Sequence, residues 1–289
     1  MTRIISIQNA KGGVGKTTSA INIAAALGIM GHKTLVVDLD GLCNLTTAMT
    51  GKLPERNVLT AIEQGLPLEE VAIPTTSENV DCVPGSPQLG ELAIRMESSP
   101  RRYRLLENLF NTDAINNYQF IILDTSISKN CLLGTAILTS DQFLVPLGAS
   151  TYSKDGLRDV FTHAYEVKPD AVCLGCCIVN FHNVPNQRLM ADQIRKITET
   201  VNIRLLGDPV PFSRYIESSA QAARSIFALT GCKEGIFTNP TAAAYFKIAS
   251  EVAQHAIGSR RGRRELAQAA HQSFFAALDE FQVQADFSL

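Results

Sequence analysis

Apolar residues fall into two patterns along this chain. Short runs rich in Val, Ile, Leu and Phe, with few polar interruptions, occupy 3–8, 33–38, 80–84, 119–124, 142–147, 171–180 and 203–207. Other stretches repeat their apolar positions every three or four residues, at 16–30, 87–96, 101–111, 153–166, 187–200, 217–228 and 241–257. The first pattern predicts strands and the second helices. Several strands, such as "QFIILD" and "QFLVPL", are apolar on both faces, as strands covered by helices on each side must be. Their alternation predicts an α/β fold, a mostly parallel twisted sheet with helices on both faces. No linker interrupts this order, so residues 1–257 read as one domain. Residues 258–289 read as a basic segment with Arg260, Arg261, Arg263 and Arg264, then an amphipathic helix with Phe274, Phe275, Leu278 and Phe281 on one face.

Composition narrows the setting. The 289 residues are enough for a full core, and no apolar run reaches the roughly 18 residues of a membrane-spanning helix. The opening "MTRIISIQ" reads as a strand rather than a signal peptide, so a cytoplasmic protein is expected. Seven cysteines, an odd and scattered set, make a poor disulfide framework and suit a reducing compartment. Cys173, Cys176 and Cys177 resemble half a zinc site, but no second ligand pair follows, and the run reads as a buried strand. The net charge of −2 hides an asymmetry: residues 188–264 hold 12 Lys/Arg against 6 Asp/Glu, leaving 14 against 22 elsewhere. On charge alone, a basic C-terminal third on an acidic body fits a polyanion-facing surface and a plain solvated face equally well.

The candidate chemistry begins at "NAKGGVGKTT", residues 9–18, between the first strand and the first helix. A phosphate-binding loop of the form G-x-x-x-x-G-K-[ST] is almost met; Ala10 stands where its first glycine belongs, and a second lysine, Lys11, follows. Gly12, Gly13, Val14 and Gly15 form a loop whose backbone N–H groups can face phosphate oxygens, helped by the positive end of the helix from Lys16. Lys16 would reach the β- and γ-phosphates of a nucleotide, Thr17 would ligate Mg²⁺, and Thr18 would face the α-phosphate. "KTLVVDLD" and "QFIILD" each end a strand in carboxylates, at the sheet edge where ligands bind. Asp124 is assigned to the Mg²⁺ shell and Asp40 to the attacking water. Asp38 fits a structural role as well as a direct one.

"KGGVGKTT", "VDLD" about twenty residues on, and "IILD" together resemble the deviant Walker A ATPases of the ParA/Soj and MinD group, over residues 3 to about 257. "VDLDGLCNLT" is similar to the ParA pattern D-L-D-P-Q-G-N-x-T, and "SDQFLVPLGASTYSKDGL" to the stretch after its Walker B strand. The resemblance implies an ATPase that binds ATP and Mg²⁺ and forms a homodimer, with Lys11 as the signature lysine that crosses the interface to the partner's nucleotide. It implies that Asn180 contacts adenine and that Pro211 marks the loop closing on the base. It further implies slow hydrolysis stimulated by a ParB-like or other cargo adaptor, binding to nonspecific DNA, nucleoid association, and partition or positioning of a plasmid, chromosome or protein assembly. Candidate DNA contacts are Arg188, Arg195, Lys196, Arg214, Arg224 and Lys247, with Arg260 and Arg261 as an additional arm. Gly41-Leu42-Cys43 replaces the family's Pro-Gln-Gly, and "DTSIS" replaces D-x-P-P-S, so nucleotide binding is expected to survive while hydrolysis is either slower or differently regulated than in typical members. Two alternatives remain: a MinD-like ATPase holding a membrane through its C-terminal helix, and an iron–sulfur reductase using Cys131. The second lacks its other cysteine loop, "DCVPGSPQLGEL" standing there instead.

Overall fold

A computed structural model describes residues 2–110, 112–150, 153–231 and 237–256, with 153–155 as backbone alone. The segment and helix expected over 258–289, with Arg260 and Arg261, lie outside the described residues. The strands β1 (Arg3–Ile7), β2 (Thr34–Leu39), β3 (Ile73–Pro74), β4 (Val80–Val83), β5 (Phe120–Thr125), β6 (Gln142–Gly148) and β7 (Cys173–Val179) form one sheet in the order β3-β4-β2-β5-β1-β6-β7. All neighbours run parallel except the short β3 against β4. The helices are α1 (Lys16–Ile29), α2 (Asn44–Thr50), α3 (Val58–Gln64), α4 (Leu89–Met96), α5 (Cys131–Thr139), α6 (Ser153–Val167), α7 (Pro185–Thr200), α8 (Arg214–Gln221), α9 (Ile226–Thr230) and α10 (Pro240–His255). This is the mostly parallel α/β architecture that the apolar pattern predicts.

The period-two alternation of strand side chains divides them between two faces. Ile5, Ile7, Val36, Ile122, Leu144 and Val179 enter a core with α1, α2, α9 and α10. Leu35, Val37, Ile121, Leu123, Phe143, Val145 and Ile178 enter two cores beneath α3 to α7. Each fully buried Leu, Ile or Phe adds roughly 1.5–3 kcal/mol, and both faces draw on this. The same alternation separates the cysteine run, with Cys177 in the first core and Cys176 on the opposite face. The alanines of α1 let it lie close to the sheet and α10. At its last turn, a Cβ on Gly28 would stand 2.1 Å from the Glu78 carbonyl, so no larger residue fits without moving the backbone.

Register gathers the acidic residues. β5 pairs with both β1 and β2, placing Asp124 beside Ile7 on one side and beside Asp38 on the other. After β1 the chain enters α1 on one face, whereas after β5 it enters α5 on the other. That divergence opens a crevice at the strands' C-terminal ends, the usual ligand position in such sheets.

Three expected elements differ. The strand expected at 203–207 is an irregular segment along the free edge of β7. Cys176 N donates to Arg204 O at 2.8 Å and Val210 N to Ile178 O at 2.8 Å, but only isolated bridges form. Gly207, at φ 63°, and Pro209, which lacks an N–H, interrupt the ladder. The helix expected at 101–111 is a succession of turns over 101–110, whose N–H groups reach three residues back, as in Arg104 N to Arg101 O at 2.8 Å and Leu109 N to Leu106 O at 3.0 Å. The helix expected at 217–228 is two helices, α8 and α9. Ala223, at φ 50°, breaks the run, and Ser225 caps α9 by accepting from Ala228 N. Asn22 of α1 accepts from Ile226 N at 3.1 Å, which holds the second helix in place. Among the described residues no helix is long and apolar enough to cross a membrane.

Candidate functional site

The loop after β1 is pinned before it turns. Asn9 is buried; its Nδ2 donates to Pro146 O at 2.8 Å, and its Oδ1 accepts from Lys11 N at 2.9 Å. Gly13 and Gly15 take φ values of 71° and 78°, a left-handed backbone in which any Cβ is strained. Gly15 is the N-cap of α1, and no side chain caps the helix start, so its first N–H groups face the loop's concavity. Lys16 follows, 7% exposed, with Nζ donating back to Lys11 O at 3.3 Å. Burial lowers the Lys16 pKa, opposed first by Asp124 and then by Asp40.

Asp124 is fully buried at the end of β5, and neither carboxylate oxygen has a hydrogen-bond partner of normal geometry. Burial raises its pKa, Asp38 raises it further, and the nearby Thr17 hydroxyl works the other way. Buried carboxylates are normally paired, so this one calls for a missing partner. A hard divalent cation fits, since Asp124 and Thr17 offer the oxygen donors that Mg²⁺ prefers, beside a helix start open to phosphate.

Asp38, its neighbour on β2, is satisfied throughout. Its Oδ2 accepts from Thr46 N at 2.9 Å and from Thr46 Oγ1 at 2.6 Å, and its Oδ1 accepts from Asp40 N at 3.1 Å. Burial still raises its pKa despite the Thr46 bonds. Thr46 Oγ1 also accepts from Gly85 N at 2.8 Å, and a Cβ on Gly85 would stand 2.9 Å from Asp38 Cγ. Of the two roles open to Asp38, these contacts fit the structural one: it ties β2 to α2 and to the turn after β4. Asp40, half-buried, accepts from Leu42 N at 3.0 Å in a turn that leads into α2.

A cavity of about 370 Å³ adjoins the loop. Gly13, Gly15 and Thr18 line one end, and Val179, Asn180, Val210 and Pro211 come from β7 and the edge segment. The structure thus brings Asn180 and Pro211 to the phosphate loop. Asn180 holds φ 56°, while Pro211 O accepts from Thr241 Oγ1 at 3.1 Å, anchoring the wall to α10. Phe212, Ser213, Arg214, Ile216, Glu217, Ala220 and Tyr245 complete the lining, and all but Arg214 go unsingled by the sequence. One signal was available for α8: Ser213 caps it, accepting from Tyr215 N at 3.2 Å, and a Ser before a polar helix marks such a start.

The candidate DNA contacts do not form one patch on one layer. Arg188, Arg195 and Lys196 are exposed on α7, over one face of the sheet. Lys247 is exposed on α10, over the other face, with Nζ 2.8 Å from Asp208. Arg224 lies in the bend between α8 and α9, and Arg214 lines the cavity.

Comparison with known proteins adds independent findings. A family model described as an AAA domain matches residues 2–171. The chromosome partitioning protein ParA of Caulobacter vibrioides is 33% identical over 161 residues, covering 55% of this chain and 60% of that protein, so the match spans about three fifths of the relative's length. The chromosome-partitioning ATPase Soj of Thermus thermophilus is 29% identical over 268 residues, covering 86% of this chain and 95% of that one. Among solved structures, a McdA variant of Cyanothece in complex with ATP matches with a TM-score of 0.75 at 16% identity, covering 90% of this chain and 99% of that one.

Proposed function

We propose a function from one premise: the chain belongs to the AAA domain family, within the ParA/MinD superfamily of P-loop ATPases. The reading is an ATP-driven switch that positions a large cargo. ATP lies with its phosphates over Gly12 to Gly15 and its base in the adjoining cavity between Asn180 and Pro211. Lys16 leaves its loop carbonyl to meet the β- and γ-phosphates, Thr18 faces the α-phosphate, and Thr17 and Asp124 hold Mg²⁺. Held there, Mg²⁺ would neutralise charge developing on the phosphates. Asp40 orients the attacking water. Lys11 serves the partner protomer's nucleotide, so hydrolysis and homodimerisation are coupled.

The observation that carries this reading is Asp124, a buried carboxylate with no hydrogen bond of normal geometry, set beside Thr17, Lys16 and the open start of α1. In the nucleotide-bound dimer, Lys and Arg side chains contact DNA phosphates without reading bases, which suits the basic C-terminal third. A ParB-like or other cargo adaptor stimulates the slow hydrolysis and releases the DNA, in the cytoplasm and on the nucleoid. The cargo class is a plasmid, a chromosome or a protein assembly.

Fluorescence anisotropy with random duplex DNA tests the switch. ATP is expected to promote binding, ADP to abolish it, and added salt to weaken it steeply. Binding indifferent to nucleotide would overturn it. Lys11→Ala is expected to bind ATP yet fail to dimerise or turn over; a variant indistinguishable from the parent in light scattering and phosphate release would remove the coupling.

A further inference from the structure

Glu217 stands in the first turn of α8, one turn after Arg214, and both line the cavity beside the phosphate loop. Its neighbours on that lining, Ile216 and Ala220, lie one place before and three after, so one face of α8 is turned to the cavity. Three other lining residues, Val179, Val210 and Pro211, are apolar and suit the faces of a flat ring. Polar groups among such walls decide orientation and selectivity. Neither Glu217 nor Arg214 has an ion-pair partner among the described residues.

We propose that Glu217 is a specificity residue for the nucleobase, selecting a purine with a 6-amino group and rejecting one with a 6-keto group. The inference rests on the nucleotide reading above and adds a residue to it. An ionised carboxylate only accepts hydrogen bonds. The amide of Asn180, which lines the same cavity, can donate and accept, which matches the paired amine and ring nitrogen along adenine's edge. An amino group carries two hydrogens and can serve both acceptors. A 6-keto oxygen in the same place sets acceptor against acceptor and leaves polar groups unpaired, the arrangement by which sites reject a close analogue most strongly. Because Glu217 is exposed, water softens this penalty, and a ratio of about tenfold is expected rather than the larger factors of sealed sites.

The test compares ATP with inosine triphosphate, which differs from it at position 6 by exchange of the amine for a keto group. Displacement of a fluorescent ATP analogue gives the affinity of each for the full chain. The parent is expected to prefer ATP by about tenfold. Glu217→Gln, whose amide can donate to a keto oxygen, is expected to narrow that ratio severalfold, chiefly by improving inosine triphosphate. Glu217→Ala is expected to lose ATP affinity while binding inosine triphosphate no worse than the parent does, so the ratio narrows from both sides. Circular dichroism establishes that both variants fold, and a purely structural role for Glu217 would lower both affinities together. An unchanged ratio in Glu217→Gln, with ATP still bound, overturns this proposal and leaves the ATPase reading standing. Failure of the parent to bind either nucleotide overturns the ATPase reading itself.

Discussion

Around the phosphate loop, Lys16, Asp38 and Asp124 are all buried, while around the base cavity Asn180, Phe212, Arg214 and Glu217 are exposed. The first set sits on strand ends and a helix start, each locked by register or by a short local bond. The second set comes from the end of β7, the edge segment joined to it by backbone bonds such as Phe181 N to Val210 O at 2.9 Å, and the first turns of α8, and its side chains face solvent. Charged groups in the dry region are costly and strongly coupled, so each is expected to matter greatly. Groups in the wet region compete with water, and each is expected to tune rather than decide.

The sharpest test of that contrast is Lys16→Ala. It is expected to reduce ATP turnover by at least about 100-fold, measured as phosphate release, since it removes a buried cation aimed at developing charge. Next comes Asp124→Asn. Burial raises the Asp124 pKa, so the folded chain holds a proton more tightly than the unfolded chain does. Stability of the nucleotide-free protein therefore falls as pH rises upward from the ordinary carboxylate range, and Asp38 adds to this in the same direction. The Asn variant is expected to melt higher than the parent at pH 8 by a few degrees, to show a flatter pH profile, and to lose the extra stability that Mg-ATP confers on the parent. Calorimetry at pH 6 and pH 8 checks the sign; a variant that melts lower at pH 8 would refute it.

Thr46→Val probes the dry region without touching the nucleotide. It keeps shape but strips a hydroxyl that donates to Asp38 and accepts from Gly85 N, at an expected cost of about 1–3 kcal/mol in urea denaturation. The smallest effect is expected at the wet end. Asn180→Gly keeps the left-handed backbone and removes only the amide, so ATP affinity should fall by roughly threefold to tenfold with little change in turnover at saturation. A loss as large as that of Lys16→Ala would erase the distinction between the two ends.

The legibility of the site follows the same division. Gly12 to Thr18 are contiguous, and their spacing alone carries the chemistry of a phosphate loop. Asp38 and Asp124 were visible because each closes an apolar strand, where a charge has no packing reason to be. The cavity wall was not visible, because Phe212, Ser213 and Glu217 are ordinary surface residues until the edge segment turns them toward the loop. Asn180 and Pro211 were named through family resemblance, not through any property of their own surroundings. Among elements, α2 and α3 escaped the periodic pattern because each spans only 7 residues, and α5 because it is buried all round from Cys131 to Ile137, although Asn57 and Asn130 cap two of them and glycines close α2 and α3. The turns over 101–110 carried a helical period without forming a helix, since Leu106 and Leu109 can be buried by three-residue steps as well as by α-helical ones.

Sequence by itself determined that strands and helices alternate, that the sheet is buried on both faces, and that a glycine-rich turn meets a lysine and two threonines at a helix start. These are properties of neighbours along the chain, and periodicity and local sterics suffice for them. Only the tertiary structure decided that Asp38 is bound to Thr46 while Asp124 has no hydrogen bond of normal geometry, although both end apolar strands in similar words. Hydrogen-bond partners eight or more residues away, and the register that sets β5 between β1 and β2, make that difference. Burial then converts it into chemistry, because a carboxylate removed from water and left short of hydrogen bonds favours a cation.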